Sequence, residues 1–97
     1  MSFYCSGDMF YAYIIYSPSR DVYYKGHTSL TPQKRLVRHN GRGTISTRTG
    51  IPWELRFCKS FETKPEAIRF ELFLKKQKNR TLIESLIASD ENELHNE

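Results

Sequence analysis

The chain of 97 residues is the length of one small domain and too short for two. Its 38% hydrophobic and 13% aromatic content allows a modest core of large side chains, and its longest apolar run, around Phe10 to Tyr16, falls far below the roughly 20 residues that cross a bilayer, which argues against a membrane partner. The formal net charge is +4, which favours a polyanionic partner, nucleic acid first, although a well-solvated lysine-rich surface accounts for the number equally well.

The charge is unevenly placed. Every lysine and arginine lies at or before Arg80, while Asp90, Glu91, Glu93 and Glu97 crowd the end of the chain. No basic and apolar leader opens the sequence. Cys5 and Cys58 show neither CxxC spacing nor clustering with histidine, so both read as reduced thiols of a cytoplasmic protein and a zinc site is not expected. Residues 1–8 lack periodicity and read as a flexible lead-in.

Tyr11 to Ser17 and Asp21 to Gly26 are rich in β-branched and aromatic residues and are joined by Pro18-Ser19-Arg20, the composition of a β-hairpin. Five of the six tyrosines fall here. Alternation places Tyr11, Tyr13 and Ile15 on one face and Ala12, Ile14 and Tyr16 on the other. One face is expected to serve the core while the other presents phenols outward. Thr31-Pro32 then opens a helix, with a hydroxyl cap and a proline in the first turn, which should stop at Gly41. Arg35, Arg38, His39 and Arg42 recur at spacings of three and four and gather on one side of it; Leu36 and Val37 supply the inward side. Residues 41–52 read as a loop in which Arg42 and Arg48, interleaved with hydroxyls, suit phosphate contacts or simply face solvent.

The segment from Trp53 to Lys59 alternates as a third strand, with Trp53, Leu55 and Phe57 toward the core. Thr63-Lys64-Pro65-Glu66 is a capping box opening a helix to about Lys76. On it Glu71 stands beside the apolar stripe, where a carboxylate needs a partner or a metal; Lys75, four residues on, can serve as that partner. The run from Lys75 to Arg80 breaks the helix, Thr81 to Ile87 forms a last short one packing Leu82, Ile83, Leu86 and Ile87, and residues 88–97 read as a disordered acidic tail. No GxGxxG, Walker, HExxH or GxSxG motif is present.

Paired tyrosines on a hairpin, an Arg-x-x-x-His helix and a carboxylate on a second helix supply the residue types that phosphodiester cleavage needs: a base, a cation for the charged transition state and a metal-holding carboxylate. Each also has a structural explanation, as strand packing, a surface cation or a capping side chain. The order and spacing, however, resemble the GIY-YIG nuclease superfamily, and most closely its small stand-alone members similar to the UvrC nuclease domain. The resemblance covers roughly Phe10 to Ile87. Tyr11-Ala12-Tyr13 stands where the family has Gly-Ile-Tyr, and Tyr24-Lys25-Gly26 where it has Tyr-Ile-Gly. Arg35-Leu36-Val37-Arg38-His39 matches the catalytic-arginine helix, and Glu66 to Glu71 the metal-binding helix. Two positions depart from the pattern: Tyr11 replaces the first glycine and Lys25 the usual apolar residue. The asparagine that the family often carries about a dozen residues after the glutamate falls near Ile83, with Asn79 the nearest asparagine.

The resemblance implies an α/β (α+β) fold with a small three-stranded antiparallel sheet flanked by helices, occupying residues 9–87. It implies that Tyr13 and Tyr24 flank the attacking water with one of them as general base, that Arg35 stabilises the scissile phosphate, and that Glu71 holds one Mg²⁺ or Mn²⁺. His27 would assist the nucleophile and His39 contact phosphate. The expected activity is metal-dependent nicking of DNA, on repair or recombination structures, with Lys25, Arg38, Arg42, Arg48, Lys75, Lys76 and Lys78 as the nucleic-acid-binding cations. The alternative is a nucleic-acid-binding module that does not cleave. No added DNA-reading domain accompanies the core, which leaves specificity weak or supplied by a protein partner.

Overall fold

The computed structural model describes residues 9–41 and 45–96. Strands β1 (Phe10–Ser17), β2 (Val22–Thr28) and β3 (Glu54–Phe61) form an antiparallel sheet in the order β2-β1-β3. The hairpin turn closes through the Asp21 amide donating to the Ser17 carbonyl, with Asp21 at φ 57°, a left-handed conformation that aspartate tolerates better than most residues. Asp21 therefore belongs to the turn, and β2 starts one residue later than its composition suggests.

Both sheet faces are covered, which corrects the expectation of one outward face of phenols. Tyr13 and Ile15 join Trp53 and Cys58 in one buried cluster, completed by Tyr24, Leu36 and Leu55. Ile14 joins Phe57, Leu74 and Ile83 in the other. The expected grouping of Trp53, Leu55 and Phe57 does not hold either. Ile14 pairs with Phe57 but Ile15 pairs with Leu55, so Arg56 is an extra residue in the ladder. A bulge of this kind reverses the alternation beyond it and sends Phe57 to the face opposite Leu55.

Helix α1 (Pro32–Asn40) has the expected bounds: the Thr31 hydroxyl accepts from the Lys34 amide, and the Gly41 amide closes on the Val37 carbonyl. Its inward stripe is Pro32, Leu36 and His39, a 4-then-3 spacing, and Val37 is 70% exposed. The following segment is not a plain loop. Residues Ile45–Gly50 wind into a 3-10 helix, the Ile51–Pro52 peptide is cis, and Asn40 exchanges hydrogen bonds with both backbone groups of Trp53.

Helix α2 (Lys64–Lys76) carries the complete Thr63/Glu66 capping box, and α3 (Arg80–Ala88) is capped by Asn79, whose side chain accepts from the Thr81 amide. That gives Asn79 a structural task. On α3, Ile83 is buried, whereas Leu82 is 39% exposed, contrary to its expected inward place.

The acidic tail is also corrected. Asn92 is fully buried; its amide nitrogen donates to the Arg56 and Ile87 carbonyls, and its oxygen accepts from the Cys58 and Leu94 amides. Glu93 accepts from the Ser60 amide and hydroxyl. A side-chain ladder thus caps the outer edge of β3, where an open strand edge would invite association. Asn92→Ala leaves several buried polar groups unpaired and is expected to lower stability by about 2–4 kcal/mol, measured by urea unfolding; a loss under about 0.5 kcal/mol would contradict this role. The predicted lead-in at residues 1–8 lies outside the described residues.

Candidate active site

The site begins with a tyrosine lying across a glycine. Tyr13 and Gly26 are directly paired across β1 and β2. The absence of a side chain at Gly26 lets the Tyr13 ring lie over it, since a Cβ there would come 2.6 Å from the phenol oxygen. The phenol thereby reaches α1. Arg35 Nε donates to it at 3.3 Å and His39 Nε2 lies 2.9 Å away. The other histidine nitrogen, Nδ1, is 2.8 Å from the Thr47 hydroxyl. Thr47 sits in the 3-10 helix that also takes the Trp53 indole N–H on its carbonyl. With the Arg35 proton filling one side of the phenol oxygen, the Tyr13 hydroxyl is free to donate to His39 Nε2, leaving Nδ1–H to donate to Thr47.

His39, expected from the sequence to contact phosphate, instead has both ring nitrogens on protein partners, Tyr13 and Thr47. It is fully buried, and burial, aided by the charges of Arg35 and Arg38, depresses its pKa to about 4. Burial likewise pushes the Tyr13 phenol up, against the opposing pull of Arg35. Tyr24, half-buried, meets His39 edge-on at 5.4 Å between centroids and Trp53 at 6.2 Å.

The His39 shift has a testable sign. Its folded pKa lies below the ordinary value, so between pH 6.5 and about 4 the unfolded chain binds more protons and stability must fall as pH falls. The full span corresponds to a loss on the order of 3 kcal/mol. Unfolding free energies of the wild type and His39→Gln across this window should show the steeper slope only in the wild type; parallel slopes would contradict a neutral buried histidine.

On the other side of the sheet, Glu71 of α2 reaches the β2 edge. His27 Nδ1 donates to Glu71 Oε1, and Lys75 Nζ lies 2.7 Å from Oε2. Burial raises the Glu71 carboxyl, but Lys75 and His27 outweigh it and the pKa is lowered, so the group is an anion at neutral pH. Its charge acts on the Tyr13 phenol, and Tyr24 acts on Lys75, which places the two halves of the site within electrostatic reach of each other around β2. The i,i+4 partner Lys75 is the one the sequence suggests; the His27 pairing, 44 residues distant, carries no local signal.

A divalent ion fits this donor set in a limited way. Among the described residues no three or more His, Cys, Asp or Glu gather as a metal cage. A single anionic carboxylate, with remaining positions filled by water and substrate oxygens, suits Mg²⁺ or Mn²⁺, which retain water readily, and does not suit zinc.

The predicted cations are dispersed. Lys25 is half-buried on the face opposite Tyr24, and its pKa is lowered by burial. Arg38 is exposed on α1, Arg48 on the 3-10 helix, and Lys76 and Lys78 at and beyond the end of α2. Lys75 is committed to Glu71, and Arg42 lies outside the described residues. Sequence reasoning missed Thr47, which lies eight residues from His39, and Lys64, which joins Arg35 and Arg38 around one cavity.

Several known proteins are similar to this chain in sequence. A UPF0213 protein of Streptococcus pyogenes serotype M5 is 32% identical over 87 residues, covering 89% of this chain and 92% of that protein. A UPF0213 protein of Bacillus licheniformis is 41% identical over 54 residues, 55% of each chain. A structure-specific endonuclease subunit SLX1 homolog of Cryptosporidium parvum is 36% identical over 66 residues, covering 63% of this chain and 16% of that protein. No solved structure shows significant similarity to the chain. The model of the GIY-YIG catalytic domain matches residues 9–84, a span that contains Tyr13, Tyr24, His27, Arg35, His39 and Glu71, and the chain belongs to the GIY-YIG family of endonucleases.

Proposed function

We propose that this endonuclease nicks DNA in a divalent-metal-dependent reaction, with branched repair or recombination structures as its substrates. The observation that carries the reading is the Tyr13 phenol held between Arg35 and His39 within electrostatic reach of the Glu71 carboxylate. The preference for branched DNA rests on the relative described as a structure-specific endonuclease subunit, whose designation as a subunit also supports a protein partner for specificity. A cytoplasmic location is part of the same proposal.

Arg35 binds the scissile phosphate, its planar fork matching two phosphate oxygens. Glu71 would hold the metal, which would supply neutralisation of the negative charge that builds in the transition state. The raised pKa of Tyr13 keeps it protonated at neutral pH, so it works as a shuttle: its oxygen takes a proton from the attacking water as its own proton passes to His39 Nε2. Burial disfavours a charged His39, and Arg35 and Arg38 add to that. Substrate phosphates bound near those arginines offset their contribution, making His39 a better acceptor when substrate is bound. Thr47 holds the imidazole in the tautomer this transfer needs. His27, oriented by Glu71 through Nδ1, presents Nε2 as a further acceptor near the metal side. Tyr24 completes the wall of the water site.

The test is incubation of purified protein with duplex, nicked, flapped and four-way DNA in Mg²⁺, Mn²⁺ or EDTA. Cleavage of a branched substrate that EDTA abolishes is the expected result. Binding without cleavage of any of them would overturn the proposal in favour of a silent DNA-binding module.

A further inference from the structure

Beside the Tyr13 network, a cavity of about 420 Å³ opens where the start of β1, the end of β2, α1 and the first residue of α2 meet. It is within the roughly 300–1,000 Å³ range of small-molecule sites. Arg35 and Arg38 from α1 and Lys64 from α2 line it, with His27 of β2 beside them, and no carboxylate is among its described lining residues. Thr28 and Ser29 add hydroxyls, while Phe10 and Leu30 supply an apolar wall. The Thr28 oxygen accepts from the Leu30 amide, which leaves its proton available to a ligand. Cations, hydroxyl donors and an apolar surface form the complement of a nucleotide unit: an anionic phosphate, a polar sugar and a flat base.

We infer that this cavity is a nucleotide subsite in which Arg38 and Lys64 hold the phosphate next to the scissile one, with the attached sugar and base against Phe10 and Leu30. The inference rests on the nuclease reading for its orientation, because Arg35 is shared between the cavity and the Tyr13 network. One arginine on the scissile phosphate then fixes where the neighbouring phosphate falls. Arg38 lies three residues beyond Arg35 on α1, just under one full helical turn along the same face, so the two guanidiniums address successive points on one strand. Lys64 closes the cavity from another helix. It ties α2, the helix that bears Glu71, to the strand that Arg35 holds.

The experiment measures binding of a labelled flap duplex in EDTA, where cleavage does not intervene, by fluorescence anisotropy across a salt series. Arg38→Ala/Lys64→Ala is expected to weaken binding about tenfold or more and to flatten the slope of log K against log salt by about two. Arg69→Ala removes an exposed cation from the same helix as Lys64, at a different groove, and serves as the charge control. Each phosphate around the branch is then replaced in turn by an uncharged methylphosphonate. One position should weaken wild-type binding and have little effect in the double variant. With Mg²⁺ added, the wild-type cut should map to the adjacent phosphate.

A double variant no different from Arg69→Ala, or methylphosphonate penalties identical in both proteins, would overturn the subsite. Selective coupling together with an uncleaved wild-type substrate would instead retain the subsite and remove the nuclease reading.

Discussion

Glu71→Gln is expected to lower the single-turnover cleavage rate by at least about a thousandfold while leaving the fold and DNA binding in EDTA intact. The amide preserves the shape of a side chain that is only 8% exposed and removes the one anion that α2 brings to the β2 edge. Two causes of the loss have to be separated, because Glu71, the proposed metal ligand, also orients His27. If the carboxylate acts chiefly through the metal, His27→Ala costs at least about tenfold less than Glu71→Gln, since an outer partner typically contributes about 10–100-fold. Equal losses in the two variants would mean that the carboxylate works through the histidine. The Lys75 contact gives a further check. Lys75→Met frees Glu71 Oε2 of its ion pair, and the apparent Mg²⁺ requirement should shift to lower concentration.

Gly26→Ala should be nearly as damaging although it removes no functional group. A Cβ at this position would stand 2.6 Å from the Tyr13 oxygen and 2.7 Å from the adjoining ring carbon. The ring cannot yield cheaply, because it is buried and its hydroxyl is tied to Arg35 and His39. Displacement of a reacting group by about 1 Å can cost about a hundredfold in rate, and forcing a methyl into a packed site costs about 1–3 kcal/mol. Cleavage rate and thermal midpoint should therefore fall together. A variant that keeps the wild-type rate would show that the phenol is not needed where Gly26 allows it to lie.

The parts of this molecule that the sequence made legible are those decided by neighbours in the chain. Thr31-Pro32 and Gly41 set the ends of α1 because capping is satisfied within a few residues, and the Thr63/Glu66 box did the same for α2. Alternation separated Tyr13 from Ile14 correctly. The errors arise where a distant partner decides. Phe57 changed faces because of a bulge at Arg56, which a composition of alternating residues does not announce. His39 turned inward because Tyr13 and Thr47 receive it; a histidine among arginines reads locally as another surface cation. The acidic end looked disordered by composition, yet a single asparagine, Asn92, anchors it by matching four backbone groups. The candidate site was thus visible as a set of residue types in order, while the hydrogen bonds that assign their roles were not.

The most direct measurement of the central claim, that the phenol between Arg35 and His39 belongs to the reacting centre, is single-turnover cleavage of a flap duplex by Tyr13→Phe in Mg²⁺. The substitution removes one oxygen and leaves the ring over Gly26. A loss of about a hundredfold or more, with DNA affinity in EDTA unchanged, is the predicted result; cleavage at the wild-type rate would contradict the account.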